Sequence, residues 1–280
     1  MRLTVLFCLL FPLAQAGDED WTTQLYQHYQ ARKPLAHPFS GTAQEALIAQ
    51  AAFLAQLESS LGRVVGYKAA LTSRPARKRF GVTEPLRGTL LQGMLLKSGA
   101  TLSRNFGARV LFEGDLVVRV GNKALNEAKT HGEVIAALDG VFPFLELPDL
   151  VFAADVPLNG PALTAVNAGA RFGVLGEMVA LDGAEAWINR LAQIKVTLRD
   201  EQDQVLAEGS SQALMGHPLD AVLWLRDSLH KNGIHLKQGD LLSLGSITRL
   251  LPVGSTTAVT ATYGGLDPNG VRTVTVHFTD

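Results

Sequence analysis

Cysteine is almost missing from this chain: 280 residues contain one, Cys8. That excludes a disulfide scaffold and a cysteine-ligated zinc or iron–sulfur site. An excess of charge of either sign is also missing, because 25 Lys and Arg face 26 Asp and Glu, so there is no electrostatic footprint for nucleic acid. Charged residues are scarce at 18% and hydrophobic ones make up 47%, which argues against disorder and for extensive burial or oligomer interfaces. Beyond the N-terminus no apolar run approaches the roughly 18 residues of a membrane span, so no permanent span is expected.

The N-terminus carries an address. Arg2 is followed by the apolar run Leu3 to Leu13 and then by Ala14, Gln15 and Ala16, the small-x-small pattern that precedes cleavage, here before Gly17. Residues 1–16 are therefore predicted to be a secretory signal, and the product to be periplasmic or secreted. An uncleaved anchor is the alternative, but the run is short for one. Removing the segment takes away Arg2 and Cys8 and leaves no thiol, which suits an oxidising compartment.

The rest mixes helices and strands without regular alternation, which predicts an α+β fold rather than a doubly wound sheet. Residues 17–100 read as a helical segment with a first strand region, and 101–280 as a β-rich domain. Helices are predicted over Asp20 to Gln30, from the Thr42–Glu45 capping box to Gly62, from the Thr130–Glu133 capping box to Gly140, over Ala184 to Gln193, and from Pro218 to Gly233. Strands are predicted over Arg63 to Leu71, Arg109 to Val120, Ile194 to Leu198 paired with Val205 to Gly209, and Leu241 to Leu244. A final hairpin over Thr256 to Phe278 turns at Asp267 to Gly270. Arg74, Arg77, Lys78 and Arg79 form a basic cluster, read as a solvated loop or helix face; its place just after a candidate active-site strand leaves anion attraction open.

Strand alternation in Arg109 to Val120 puts Glu113 and Asp115 on one face. Two carboxylates a pleat apart repel, and their apolar neighbours bury them in part, so a metal ion or an arginine is needed nearby. Gly114 between them lets a second strand or a ligand approach the backbone. Glu146, flanked by Phe144, Leu145 and Leu147, is a third acid in an apolar setting. Three oxygen donors suit magnesium, manganese or calcium better than zinc. Lys68 projects from the apolar strand Val-Val-Gly-Tyr-Lys-Ala-Ala-Leu and must meet an anion. It is either a snorkelling lysine at a sheet edge or a general acid/base or carboxylate clamp, and spacing does not separate these. Tyr67, Arg171 and His217 read as core, as a surface ion-pair partner and as a residue preceding a helix.

Several blocks occur in a telling order: Gly66-Tyr67-Lys68 running on to Leu71, Thr72 and Ser73; Glu113-Gly-Asp115; Glu146; Asn167-Ala168; Met215-Gly216-His217-Pro218-Leu219; and Gly239-Asp240 before Leu244-Gly245-Ser246. Over about residues 40 to 280 the chain resembles the fumarylacetoacetate hydrolase superfamily, in its hydratase/decarboxylase branch typified by 2-oxopent-4-enoate hydratase. The resemblance implies a mixed β-roll with flanking helices and a homo-oligomer. It implies a magnesium or manganese ion held by Glu113, Asp115 and Glu146, Lys68 as the active-site lysine, and Leu71 and Ser246 at substrate-binding positions. The implied substrate is a small 2-oxo acid, chelated by the ion and converted through an enolate, with water addition in the hydratases and loss of carbon dioxide in the decarboxylases.

The sequence departs from the family pattern at several points. Asp115 stands where the second ligand is usually glutamate. The branch's acidic acid/base position falls on Leu86, within Glu84-Pro85-Leu86-Arg87-Gly88, with Glu84 or Arg87 as the candidates to substitute. Gly169 and Ala170 replace a serine pair, and Leu244 replaces a threonine. The readings left are an exported hydratase-like lyase, a related metal-dependent enzyme such as a decarboxylase or C–C hydrolase, and a binding protein that kept the fold and lost turnover.

Overall fold

The computed structural model describes residues 20–280, so the expected signal segment, 1–16, lies outside the described residues. Among them, no helix is long and apolar enough to cross a membrane. The helices are α1 (Trp21–Ala31), α2 (Ala43–Leu61), α3 (Arg74–Arg79), α4 (His131–Ala136), α5 (Gly160–Ala165), α6 (Ala186–Leu191) and α7 (Pro218–His230). The strands run β1 (Val64–Ala70), β2 (Leu86–Leu91), β3 (Leu95–Lys97), β4 (Ala100–Ser103), β5 (Leu111–Val120), β6 (Leu138–Leu147) and β7 (Phe172–Leu175). They continue with β8 (Val179–Ala180), β9 (Lys195–Asp200), β10 (Val205–Ser210), β11 (Leu241–Ser243), β12 (Leu251–Pro252), β13 (Ala258–Asp267) and β14 (Gly270–Thr279).

These strands make two sheets. The larger has nine strands along the path β2-β1-β11-β5-β6-β7-β3, with β12 on β5 and β8 on β6; the smaller runs β10-β9-β13-β14-β4. Pairing is mixed: β1 with β11, β3 with β7 and β4 with β14 are parallel, and the β5–β6 pair is antiparallel. The fold is α+β. Since β1 to β3 hydrogen-bond into the sheet that also holds β5 to β7, strands from before and after residue 100 share one sheet.

Local chemistry explains most boundaries. Thr42 and Glu45 close a reciprocal capping box ahead of α2, and Thr130 and Glu133 do the same ahead of α4. The latter helix stops at Ala136, however, and Gly140, expected to end it, lies inside β6. A capping box fixes where a helix starts and not how far it runs; here the apolar segment from Leu138 pairs with β5 instead. The strand β2 is not among the strands expected from the sequence. It forms by pairing with β1, Lys68 standing opposite Gly88. The basic cluster is α3, capped by the Ser73 side chain, and its Arg77 donates to the Thr72 carbonyl at 2.6 Å.

Two glycines permit the close approaches that build the site. A Cβ on Gly66 would fall 1.9 Å from the Leu241 carbonyl oxygen, so only glycine lets β1 lie against β11 here. One on Gly114 would sit 2.8 Å from a Val196 methyl, and this is where β9 of the smaller sheet packs over β5. Tyr263, fully buried between the sheets, bonds through its hydroxyl with the Asp115 and Phe144 carbonyls at 2.7 and 2.6 Å and accepts from the Phe144 N–H at 3.1 Å. It thereby braces the β5–β6 pair beside the acids. Tyr67 packs against the main core, and His217 caps α7, as expected. Arg171 is a correction: it is buried, 3.2 Å from Asp149 and 3.9 Å over the Tyr29 ring. An ion pair looks alike on the surface and in the core when only sequence is read.

Candidate active site

The β5–β6 register sets Glu113 directly opposite Glu146, with Asp115 one pleat along, opposite Phe144. All three acids are buried. Lys68, also buried, reaches them from β1: its Nζ is ion-paired with Glu146 Oε1 and donates to the Ala168 carbonyl at 3.2 Å. That carbonyl is presented by a run of left-handed backbone, with φ of 57° at Asn167, 52° at Ala168 and 72° at Gly169. The Asn167 side chain holds the run in place: its Oδ1 accepts from Thr89 N at 2.7 Å and its Nδ2 donates to Thr89 O at 2.9 Å. Non-glycine residues in this region are strained and persist where their surroundings over-determine them. Asn167 and Ala168 thus position Lys68, a role that only the order of motifs hinted at.

Electrostatics mark the same place. Burial, then the Glu146 charge, pushes the Glu113 carboxyl up to about 8, against the opposing pull of a Ser246 hydrogen bond and of Lys68. Asp115 is held well above the ordinary carboxylate range by burial and by Glu146, although the Ser243 hydroxyl and the Leu116 N–H bond to it. With all three carboxylates ionised, a single ammonium would leave an excess of negative charge, which is why two of them are pushed up.

That excess, with oxygen as the only donor type, fits a hard divalent cation. Yet among the described residues no group of three His, Cys, Asp or Glu side chains is arranged as a ready-made metal site. Glu146 is engaged by Lys68, and Asp115 by Ser243 and the Leu116 N–H. The acids are neighbours in register.

Two connected chambers open beside the acids. The inner, about 90 Å³, is lined by Lys68, Leu71, Leu86, Glu113, Ala168 and Ser246 with other apolar residues. The outer, about 510 Å³, shares Phe80, Glu113, Leu150, Ser246 and Leu250 with it and adds Arg79 and Arg109. Leu71, at a strained φ of 57°, and Ser246 therefore both line the inner chamber. Glu84 does not: its side chain is 66% exposed, lies 3.8 Å from Lys231 and lines neither chamber. Glu84 precedes β2, outside the strand that faces Lys68. Leu86 is at the wall, so the position where an acid was expected is occupied by an apolar side chain. The basic cluster after the Lys68 strand, for which the sequence leaves anion attraction open, brings Arg79 to the outer chamber, whereas Arg109 and Phe80 carry no such signal.

No protein-family model matches the chain. A 2-keto-4-pentenoate hydratase of Paraburkholderia xenovorans (strain LB400) is 29% identical over 241 residues, 84% of this chain and 87% of that protein. A 4-oxalocrotonate decarboxylase of Pseudomonas putida is 26% identical over 213 residues, 76% of this chain and 78% of the other. The solved structure of 4-oxalocrotonate decarboxylase from Pseudomonas putida G7, complexed with magnesium and adipate, superposes with a TM-score of 0.78 at 23% identity, covering 92% of this chain and 97% of that one. The fold is that of the fumarylacetoacetate hydrolase-like α+β proteins. Relatives named 2-keto-4-pentenoate hydratase and 4-oxalocrotonate decarboxylase, with structural neighbours in that superfamily, support placing the chain in its hydratase/decarboxylase branch.

Proposed function

We propose that the protein is an exported, metal-dependent lyase resembling 2-oxopent-4-enoate hydratase that acts on a small 2-oxo acid. The observation that carries this reading is that Lys68 and Glu113 line one small chamber while Lys68 is paired to Glu146 directly opposite Glu113. Glu113, Asp115 and Glu146 are the residues that would hold a magnesium or manganese ion. When bound, such an ion supplies Lewis-acid stabilisation of negative charge on the substrate's carboxylate and keto oxygens. The chain's own residues do the rest. The Lys68 ammonium is a proton carrier at the wall of the inner chamber, and its hydrogen bond to Ala168 O orients it. Leu71, Leu86, Leu163 and Leu250 form an apolar wall that limits water around the substrate. Homologues that are hydratases and decarboxylases, together with a structural neighbour that holds magnesium, support an enzyme with a divalent cation. The Arg2 to Ala16 pattern supports export to the periplasm or beyond, and the sparse charge supports a homo-oligomer.

A second reading, a protein that binds a small oxo acid or carboxylate without turnover, is favoured by one observation: Leu86 stands where the acid/base was expected, and Glu84 points to solvent. Purified protein lacking residues 1–16, supplied with magnesium or manganese, is expected to deplete the ultraviolet absorbance of 2-hydroxypenta-2,4-dienoate. A silent assay with calorimetric binding of a 2-oxo acid establishes the binder. Neither turnover nor binding would remove both readings.

A further inference from the structure

Helix α2 sends one polar side chain toward the site. Of its buried residues, Ala46, Ala49, Gln50, Phe53, Leu54 and Leu57, only Gln50 carries a side-chain hydrogen-bonding group. Burying an amide is costly unless its polar atoms are bonded. Gln50 Nε2 donates to the Arg87 carbonyl at 3.0 Å and to Asn167 Oδ1 at 3.3 Å. Gln50 lines neither chamber, so it stands behind the wall of the site and not at it.

Both acceptors belong to the structure that backs Lys68. In the β1–β2 register Arg87 lies opposite Ala69, Gly88 opposite Lys68 and Thr89 opposite Tyr67. The Gln50 amide thus holds β2 one residue before Gly88, and Asn167 holds it one residue after, through its two bonds with Thr89. Asn167 is fully buried, and its Oδ1 is shared by Thr89 N and Gln50 Nε2, so its amide plane is fixed from two elements. The far end of the left-handed run is tied as well, since Gly169 O accepts from Asp149 N at 2.9 Å. Between these ties stands Ala168, whose carbonyl receives Lys68 Nζ. A bond to Arg87 alone would dock α2 on β2. The second bond, to Asn167, reaches the run that aims the lysine.

We infer that Gln50 is a positioning residue: by clamping the Asn167 side chain against β2 it fixes the Ala168 carbonyl, and so the direction in which the Lys68 ammonium is held at the chamber wall. Its consequence for turnover rests on Lys68 acting as the proton carrier, as proposed above. An ammonium is a point charge on a flexible stem and takes its direction from its acceptors, here Glu146 and Ala168 O. Once that carbonyl drifts, Nζ follows Glu146 alone. A misplacement of about 1 Å at a reacting group can cost roughly 100-fold in rate, even when its origin is remote from the chemistry.

The test reads Lys68 directly, by NMR of its ammonium protons in isotope-labelled protein supplied with magnesium; loss of one signal in Lys68→Met identifies it. Gln50→Leu removes the donor at similar volume, and Gln50→Asn keeps an amide but withdraws it by one methylene. Either is expected to speed solvent exchange of the Lys68 signal by about tenfold, the equivalent of one hydrogen bond. Turnover should fall roughly 10- to 100-fold with KM little changed. In the Lys68→Met background the same substitutions should alter the residual turnover by less than about twofold, because the group they position is gone. Phe53→Leu loosens the core under α2 without removing a hydrogen bond, and should leave the Lys68 signal as it is. Circular dichroism checks folding, and either folded Gln50 variant carries the test. An unchanged Lys68 signal in that variant, an equal change in Phe53→Leu, or an undiminished turnover loss in the Lys68→Met background would overturn the inference. A wild type without turnover would remove the lyase reading, and the exchange measurement would still decide whether Gln50 holds Lys68.

Discussion

Lys68→Met is expected to lower turnover by about 10²- to 10⁴-fold, the usual contribution of a positioned acid or base. Methionine keeps the apolar stem that packs in β1 and removes only the ammonium. The change strands Glu146, which is buried and has Lys68 as its cationic partner, so a folding cost of about 3–5 kcal/mol accompanies it. Stability loss alone would be a trivial explanation, and metal binding separates the two. Lys68 competes for the Glu146 oxygen, so the variant should hold manganese at least as tightly as wild type, regain stability when manganese is added, and still turn over slowly. A folded, manganese-loaded Lys68→Met protein with wild-type turnover would show that the lysine is only structural.

Metal-stripped protein should lose thermal stability as pH rises from about 5 to about 8. The Glu113 carboxyl ordinarily titrates near 4.5 and is pushed up to about 8 in the fold. The native state therefore holds a proton that the unfolded chain releases, and stability is fully present below the ordinary value and lost as pH rises through the folded one. Asp115, raised for the same reasons, acts in the same direction. A divalent ion displaces those protons, so manganese affinity should climb across the same window. At a manganese concentration about 100 times its dissociation constant, the added stability is about 2.7 kcal/mol, enough to flatten the slope. Differential scanning calorimetry with and without manganese measures this. An unchanged slope in Glu113→Gln would show that other groups cause it.

What the sequence made legible was local. The capping boxes at Thr42 and Thr130, the turn at Asp267 to Gly270, and the shared face of Glu113 and Asp115 each depend on residues a few positions apart, and each has a single physical reading. Glu146 was found because an acid among large apolar residues needs a partner, but its register opposite Glu113 depends on pairing β5 with β6 and has no local signal. The same holds for β2, which forms by pairing with β1, and for Glu84 and Leu86. Two residues apart in sequence, one is in solvent and the other at the chamber wall. Asp149 with Arg171 is the clearest miss, since burial of an ion pair is decided by what packs over it, here Tyr29.

The central claim is that Glu113, Asp115 and Glu146 hold one divalent ion beside Lys68. Titration of manganese into metal-stripped protein, followed by calorimetry in wild type, Glu113→Gln and Glu146→Gln, tests it most directly. The account predicts a single saturable ion per wild-type chain and loss of that binding in both variants while the fold persists. Wild type that takes up no ion at saturating manganese, or variants that bind it as wild type does, would contradict it.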